Sequence, residues 1–366
     1  MNMWRILLIL MAAFGLAALA GLVALFHRFT PFQRLGERHR LLSWLAAALP
    51  VAAIGLLFCA INVTTMIVVL LHLLVAWALC DGVGWLIQRF GRRRVSRDVT
   101  GLVAIGLTVI YLGIGWFMAH HVFETRYQLT TSKPLSKPLR IAMLADAHLG
   151  TTLSGDDFAR QMLHVQQARP DAVVLVGDFV DDDSTREDMR AACAALGRLD
   201  TPCGVFFTYG NHDEGYYHHR NFTGDELRTT LAENGVTLLA DQQAPLGDDA
   251  VLIGRKDRYD RKRRTMAMLT GDLDPNRYAI VLDHQPNDYA AEAESPVDLV
   301  LSGHTHGGHI FPAGLIGLWM KANDAIYGHK VINGTDFIVT SGISGWAIPF
   351  KTGTYSEYVI IDITPI

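Results

Sequence analysis

Cysteine is scarce: four occur in 366 residues, at positions 59, 80, 193 and 203. That excludes a disulfide-stapled scaffold and a sulfur-rich structural zinc site. Cys59 and Cys80 fall inside apolar runs; Cys193 and Cys203 would pair only if the fold brought their Cβ atoms together. Acidic residues are the second shortage, and it is confined to one half. Residues 1–138 hold 4 Asp and Glu against 13 Lys and Arg, whereas residues 139–366 hold 32 against 19. An acidic second half lacks the basic face that a nucleic-acid partner needs. Charged residues overall are only 19% of the chain, 50% is hydrophobic, and mean hydropathy is +0.21. A basic apolar half followed by an acidic mixed half implies two environments, a bilayer and water.

Four long apolar runs, at about 4–26, 41–61, 63–87 and 100–119, approach the ~20 residues that span hydrocarbon. The first is long for the apolar core of a cleaved leader and is read as a span. Asp81 is the rare charge among them. Arg28, Arg34, Arg38 and Arg40 sit between runs one and two, and Arg89, Arg92, Arg93, Arg94 and Arg97 between three and four. The positive-inside rule puts both loops in the cytoplasm, and four spans then put everything after residue 120 outside it, on a multi-pass protein of the cell (inner) membrane. His72, His120 and His121 are expected at helix contacts or the interface. Residues 1–125 are thus expected to form a transmembrane region. Residues 126–138, with Pro134 and Pro138, read as a linker whose Lys133 and Lys137 reach headgroups.

From residue 139 to 366 short apolar runs alternate with amphipathic stretches, which predicts an α/β domain. Strands are expected at 140–145, 171–177, 204–209, 236–239, 251–254, 278–282, 298–302, 337–341 and 358–363. Helices are expected at 156–168 behind a Ser154 cap, from a Ser184-Thr-Arg-Glu187 capping box to about Leu199, and from Thr223 to Gly235. Five of the strands stop at metal-ligand residue types: Asp146 and His148, then Asp178, then Asn211 and His212, then His284, then His304 and His306. In such sheets the loops beyond the carboxyl ends of strands gather at one edge. The last stop, Gly303-His-Thr-His-Gly-Gly308, suits a turn that aims two imidazoles at one small volume, because its glycines let the backbone bend.

These donors include carboxylates, imidazoles and an amide but no thiolate, which suits first-row ions such as Mn, Fe or Zn. Two Asp, one Asn and four His, with His212 beside them, are too many for one tetrahedral ion and fit two divalent ions sharing a carboxylate. Such a pair acidifies water and offsets phosphoryl charge, which favours hydrolysis of a phosphate ester.

The ordered set Asp-x-His, Gly-Asp, Gly-Asn-His-Asp, His and Gly-His-x-His resembles that of the calcineurin-like metallophosphoesterases. The Gly-His-Thr-His-Gly-Gly continuation and Ser341-Gly-Ile-Ser-Gly345 are similar to a membrane-associated bacterial subgroup. The resemblance covers 139–366 and implies a sandwich of two mixed β-sheets flanked by helices. It implies that Asp146, His148, Asp178 and His306 hold one metal and that Asp178, Asn211, His284 and His304 hold the other. It implies that His212 acts on the phosphoryl or leaving group and that Asp181 orients His212, with Asp213 the weaker candidate. The protein-phosphatase branch has an Arg after the position of Asp181, where this chain has Asp182 and Asp183. Added negative charge there disfavours a dianionic monoester and leaves a phosphodiester or pyrophosphate, of a lipid or cell-envelope substrate, as the expected target. A nucleotide or sugar-nucleotide diester is the alternative within enzymes. A membrane sensor with an inactive phosphoesterase fold is the alternative outside them, but a relic should have lost a ligand and none is missing.

The Arg255–Arg264 loop carries seven basic residues and Tyr259. It reads either as a solvated loop or, through Arg255 and Arg258, as a contact with anionic headgroups or a substrate phosphate. The apolar stretch from Ile310 to Met320 is either core or an exposed flap whose Leu315, Ile316, Leu318 and Trp319 dip into the bilayer or grip acyl chains. His218, His219 and His309 are expected as solvated turn residues near the site, and Tyr216, Tyr217 and Trp346 as pocket lining or packing.

Overall fold

The computed structural model describes residues 3–91, 94–215 and 220–366, with side chains from residue 13 onward. The chain divides into two units, Met1–Ile114 and Gly115–Ile366.

The first unit holds α1 (Met3–His27), α2 (Thr30–Arg38), α3 (Arg40–Cys59), α4 (Val63–Gly91) and most of α5 (Arg97–His120), whose last turns from Gly115 on belong to the second. Helices α3, α4 and α5 are each long and apolar enough to cross a bilayer. The segment Ala13–His27 of α1 qualifies only together with α2, to which it is bent by 86°. No more than 28% of any of the three long windows is buried, so their apolar surface faces outward, as a lipid solvent requires. Inside, Leu22, Phe26, Ala47, Leu73, Trp77 and Ala104 pack together. His72 Nδ1 donates to Val68 O of its own helix (2.7 Å), and its ring lies 5.7 Å from that of Tyr111 on α5, so it is a helix contact. Helix α2 is new: the sequence expected only a basic loop there. Its run is too polar to read as a span, yet Pro31 fits a first helical turn and nothing breaks the helix before His39.

The second unit continues with β1 (Val122–Thr131), β2 (Leu139–Leu144), α6 (Gly155–Gln167), β3 (Ala172–Val176), α7 (Arg186–Leu196), β4 (Gly204–Thr208), α8 (Gly224–Glu233), β5 (Val236–Leu238), β6 (Gln242–Leu246) and β7 (Ala250–Gly254). Then come α9 (Met266–Thr270), β8 (Tyr278–Leu282), α10 (Tyr289–Ala293), β9 (Leu299–Ser302), a short 3-10 turn (His306–Gly308), α11 (Ala313–Trp319), β10 (Gly328–Ile332), β11 (Thr335–Val339) and β12 (Ser356–Pro365). Among the described residues they form two six-stranded mixed sheets, ordered β1-β12-β2-β3-β4-β5 and β10-β11-β9-β8-β7-β6. Strands β2 to β5 run parallel, as do β7, β8, β9 and β11.

Period-two alternation assigns each face. Ile141 and Met143 of β2 join Val174, Leu252, Ile280, Leu301 and Ile338 in the layer between the sheets. Ala142 and Leu144 turn the other way, onto Phe158, Met189 and Leu227 of α6, α7 and α8. Helices α9 and α10 cover the outer face of the second sheet through Met266, Leu269 and Tyr289. Each such buried side chain contributes roughly 1.5–3 kcal/mol. The expected sandwich of two mixed sheets flanked by helices is what forms.

Two expectations give way here. Of the segment 126–138 read as a linker, residues 126–131 belong instead to β1, paired in parallel with β12 from Val122↔Ser356 to Thr131↔Pro365. Its outer residues are polar because it is an edge strand, which hid the alternation; Pro134 and Pro138 lie beyond its end. Lys133 is paired with Asp298 (2.7 Å), and Lys137, whose side chain is largely exposed, with Asp171 (2.8 Å), so carboxylates of the domain engage both. The second correction is a cap: Thr185, not Ser184, opens α7 by accepting from Asp188 N. The Ser154 capping box and the Thr223 cap form as expected. All four cysteines are free thiols, Cys193 in the core and Cys203 not bonded to it.

Candidate metal centre

Strands β2, β3 and β4 are parallel neighbours in one sheet, and β8 and β9 in the other, so their carboxyl ends lie at a common edge. The chain turns sharply at each end. Asp146, His148, Asp178, His304 and His306 all have φ between 35° and 70°, a left-handed conformation that costs non-glycine residues about 1–3 kcal/mol each. Gly210 stands against Asp178, where an added Cβ would lie 2.2 Å from Asp178 Oδ1. No side chain fits at that approach.

The turns bring two donor groups together. Asp146, His148 and His306 present ligand atoms within 4.8 Å of one another, and so do Asp178, His284 and His304. Asp178 stands between them: its Oδ2 is 3.0 Å from His284 Nε2 and 3.6 Å from His148 Nε2. Within the first group Asp146 Oδ1 is 3.9 Å from His306 Nε2, and across the groups it is 4.0 Å from His284 Nε2. The ligand orientations are fixed from behind. His284 Nδ1 donates to Val176 O (2.8 Å), which turns Nε2 toward Asp178. His148 Nδ1 meets Asp181 Oδ2 (3.2 Å), which turns its Nε2 inward. Asp146 accepts from His304 N at 3.0 Å on both oxygens, and Asp178 Oδ1 accepts from His212 N (2.8 Å). Asn211 stands on the β4 turn with Oδ1 3.5 Å from Gln285 Nε2, beside His284.

The electrostatics are those of a site built for cations. Burial pushes the Asp146 carboxyl up to about 6, with Asp178 adding to the push. Asp178 is held far below the usual carboxylate range: burial opposes this, but the charges of His284, His148 and His212 outweigh it. Burial alone would depress His284, yet the charges of Asp178 and Asp146 hold it up at about 10. Burial drives His304 down to about 3 and His306 well below its usual value. His306 Nδ1 is buried without a hydrogen-bond partner, and His284 Nε2, though 3.0 Å from Asp178 Oδ2, is not aligned for a hydrogen bond to it. His306 Nε2 and His148 Nε2 face each other at 3.2 Å, where at most one can carry a proton. Orphaned imidazole nitrogens around two buried carboxylates fit divalent cations, which would satisfy the nitrogens and offset the carboxylate charge.

Residues 139–308 match the family model for calcineurin-like phosphoesterases. An uncharacterized metallophosphoesterase of Aquifex aeolicus is 30% identical over 247 residues, 65% of this chain and 90% of that protein. The chain belongs to the calcineurin-like metallophosphoesterase family. An uncharacterized metallophosphoesterase of Campylobacter jejuni is 34% identical over 235 residues, 63% of this chain, and this chain spans 60% of that relative's length. A transmembrane protein with a metallophosphoesterase domain from Danio rerio is 30% identical over 237 residues, 60% of this chain and 52% of that one.

In this member of the family the seven expected ligands Asp146, His148, Asp178, Asn211, His284, His304 and His306 all stand at the common edge. His212 is half-buried at the rim, its ring 5.1 Å from that of His148 and 5.6 Å from that of Trp346, and burial lowers its pKa. Asp181 meets His148 Nδ1 at 3.2 Å, a contact with a ligand of the first group that the sequence does not show. Asp213 is fully buried. It accepts backbone N–H groups from Asp178 (2.8 Å), Phe179 (2.8 Å), Val180 (3.2 Å) and Gly210 (2.7 Å), tying the β3 turn to the β4 turn.

The basic loop is also corrected. Arg255 is only 2% exposed and is neutralised by Asp283 (2.8 Å), Asp288 (2.8 Å) and Glu292 (3.1 Å). A buried guanidinium without carboxylates would be very costly, and those three come from the β8 turn and α10. Arg255 is therefore a structural residue, not a substrate contact. Arg258 is exposed on the same loop. Trp319 lies in α11, which has no buried residue, so the stretch is an exposed helix and not core. His309 is not a solvated turn residue: its ring stacks on that of His306 at 5.2 Å. Residues 216–219, with Tyr216, Tyr217, His218 and His219, lie outside the described residues, as do Arg92 and Arg93.

One supporting residue went unread. Lys351 is fully buried and donates to Ser341 O (2.7 Å) and Gly342 O (3.1 Å). Gly342 in turn presses on Asp146, where an added Cβ would lie 2.6 Å from Asp146 Cβ. Burial brings the Lys351 amine down to about 7. The only signal in the sequence was a lone Lys closing the apolar run Trp346–Phe350.

Proposed function

We propose that the chain hydrolyses a phosphodiester or pyrophosphate bond, with two divalent cations of the Mn, Fe or Zn type held at a shared Asp178. Asp146, His148, Asp178 and His306 would hold one, and Asp178, Asn211, His284 and His304 the other. The observation that carries this reading is the position of Asp178 within 3.6 Å of an imidazole from each donor group. When bound, such a pair acidifies water and offsets negative charge in an in-line displacement.

The remaining chemistry belongs to the chain. Asp181 and Val176 O hold His148 and His284 in the tautomers that leave Nε2 for a cation. His212, on the rim, hydrogen-bonds the phosphoryl group or protonates the leaving oxygen. Asp182 and Asp183 follow Asp181 close to the site and repel a second negative charge on the substrate, which favours a monoanionic diester over a dianionic monoester. The Arg-rich loops support a position of this centre outside the cytoplasm, and a reporter fused to residue 366 tests it.

The activity is tested with full-length protein in detergent, stripped with a chelator and reloaded with Mn, Fe or Zn. Release of nitrophenol from bis(4-nitrophenyl) phosphate should exceed that from 4-nitrophenyl phosphate. Monoester preference would sink the diester reading. Failure on both esters with every metal would favour the sensor reading instead.

A further inference from the structure

The stretch Phe311–Met320 contains no charged residue, and none of α11 is buried. Phe311, Leu315, Ile316 and Met320 are each at least half exposed, and Trp319 is 84% exposed. A contiguous apolar surface of this kind marks a contact with something else.

The surroundings of the stretch say what that is. Helix α5 is long and apolar enough to cross a bilayer, and its final turns are fastened to this part of the domain. Lys351 N donates to Gly115 O (2.9 Å). The next residue, Thr352, donates its N–H to His309 O (2.9 Å), and its Oγ1 accepts from Phe311 N (3.1 Å). Two successive residues therefore join the emerging end of α5 to the start of the apolar stretch. On that end of α5, Trp116 and Phe117 are half exposed, as aromatic side chains are where a span reaches the headgroups. Lys321, exposed directly after Met320, supplies a cation where the stretch ends.

The helix also rests on the metal turn. Gly308 and Gly314 are in backbone contact, so close that a Cβ on Gly314 would lie 2.6 Å from Gly308 Cα. Gly308 is two residues from His306.

We propose that Phe311–Met320 inserts into the leaflet from which α5 emerges, and that the centre thereby takes as substrate a phosphoester anchored in that leaflet by its hydrocarbon chain. The insertion stands on the geometry of the stretch alone; the substrate class rests on the hydrolase reading above. An apolar helix lying in the interface beside His306 holds the metal edge at headgroup depth, where a lipid phosphate is presented and a soluble one is not.

Two measurements on the full chain separate these parts. For insertion, the protein is labelled with 5-fluorotryptophan in nanodiscs, and the Trp319 fluorine signal is assigned by its loss in Trp319→Phe. Broadening by a nitroxide on the lipid acyl chain, without broadening by a soluble paramagnetic agent, is expected. Broadening by the soluble agent alone would overturn the insertion, whatever the activity. For substrate class, Leu315→Ser/Ile316→Ser is compared with wild type on two aryl phosphodiesters, one short and soluble, the other carrying a long alkyl chain in nanodiscs. The variant should lose about tenfold on the anchored ester and nothing on the soluble one. An unchanged ratio between the two would overturn the lipid assignment. A wild type inactive on both esters would overturn the hydrolase reading and, with it, the substrate class, while the fluorine result would still stand.

Discussion

His284 Nε2 lies 3.0 Å from Asp178 Oδ2, although one residue follows a strand of the second sheet and the other a strand of the first. The two sheets therefore meet through this pair at the edge where the turns converge. Asp178 also reaches His148 at 3.6 Å, so a single carboxylate links both donor groups. Replacing it with Asn removes the shared charge while keeping the shape. Asp178→Asn should lower turnover of a soluble aryl diester by about a thousandfold or more, at every metal concentration tried. Turnover within about threefold of wild type would mean that the carboxylate is not shared.

The His212 ring stands at the rim, 5.1 Å from that of His148. His212→Ala should keep its bound metal and lose about 100- to 10,000-fold in kcat, with a smaller change in KM. Loss of metal in this variant would make His212 a ligand and not a proton or hydrogen-bond donor.

Asp181 acts on the centre through His148 Nδ1 at 3.2 Å. Asp181→Asn should therefore weaken binding of one of the two cations by about 10- to 100-fold, measured by chelator competition, while kcat at saturating metal stays much nearer wild type. If kcat instead collapses with metal affinity intact, Asp181 serves His212 after all.

Lys351 is buried against carbonyls of the loop that backs Asp146. Lys351→Met strands those carbonyls without a donor and should destabilise the domain by about 2–4 kcal/mol, seen as a lower midpoint in thermal unfolding. An unchanged midpoint would show that the loop holds itself.

The metal-free protein should also become acid-sensitive. Burial holds His304 at about 3 and His306 well below the ordinary imidazole value of 6.5. The unfolded chain then binds protons that the folded one excludes. Their contribution to stability is complete above 6.5 and is lost as pH falls from there toward 3. Asp146, raised to about 6, works in the opposite sense, contributing below the ordinary 3.8 and losing that contribution as pH rises through 6. Chelator-treated protein melted across pH 4–7 should therefore be less stable at the acid end, and His304→Asn should flatten the profile. A flat wild-type profile would contradict the burial of these imidazoles.

The convergence at the metal edge was legible because each ligand follows directly on an apolar run, and parallel strands leave little choice about where such runs end. The edge strands β1, β6 and β10 were not legible, since one side of each faces water and their patterns are mostly polar. The burial of Arg255 was hidden for another reason. Its three carboxylates lie 28 to 37 positions away, and a basic run looks the same whether it is solvated or neutralised. The sequence marks Asp181 as a carboxylate near the site, but its contact with His148 depends on a turn that only the fold defines. The apolar stretch ending at Met320 was balanced between core and surface by composition, and its lack of any buried residue decides for surface.

Metal content per chain tests the central claim most directly. Full-length protein purified without chelator and loaded with Mn, Fe or Zn should hold two tightly bound ions by plasma mass spectrometry, and Asp178→Asn should lose both. A wild type that retains one ion or none, under conditions where it hydrolyses the diester, would contradict a paired-cation centre.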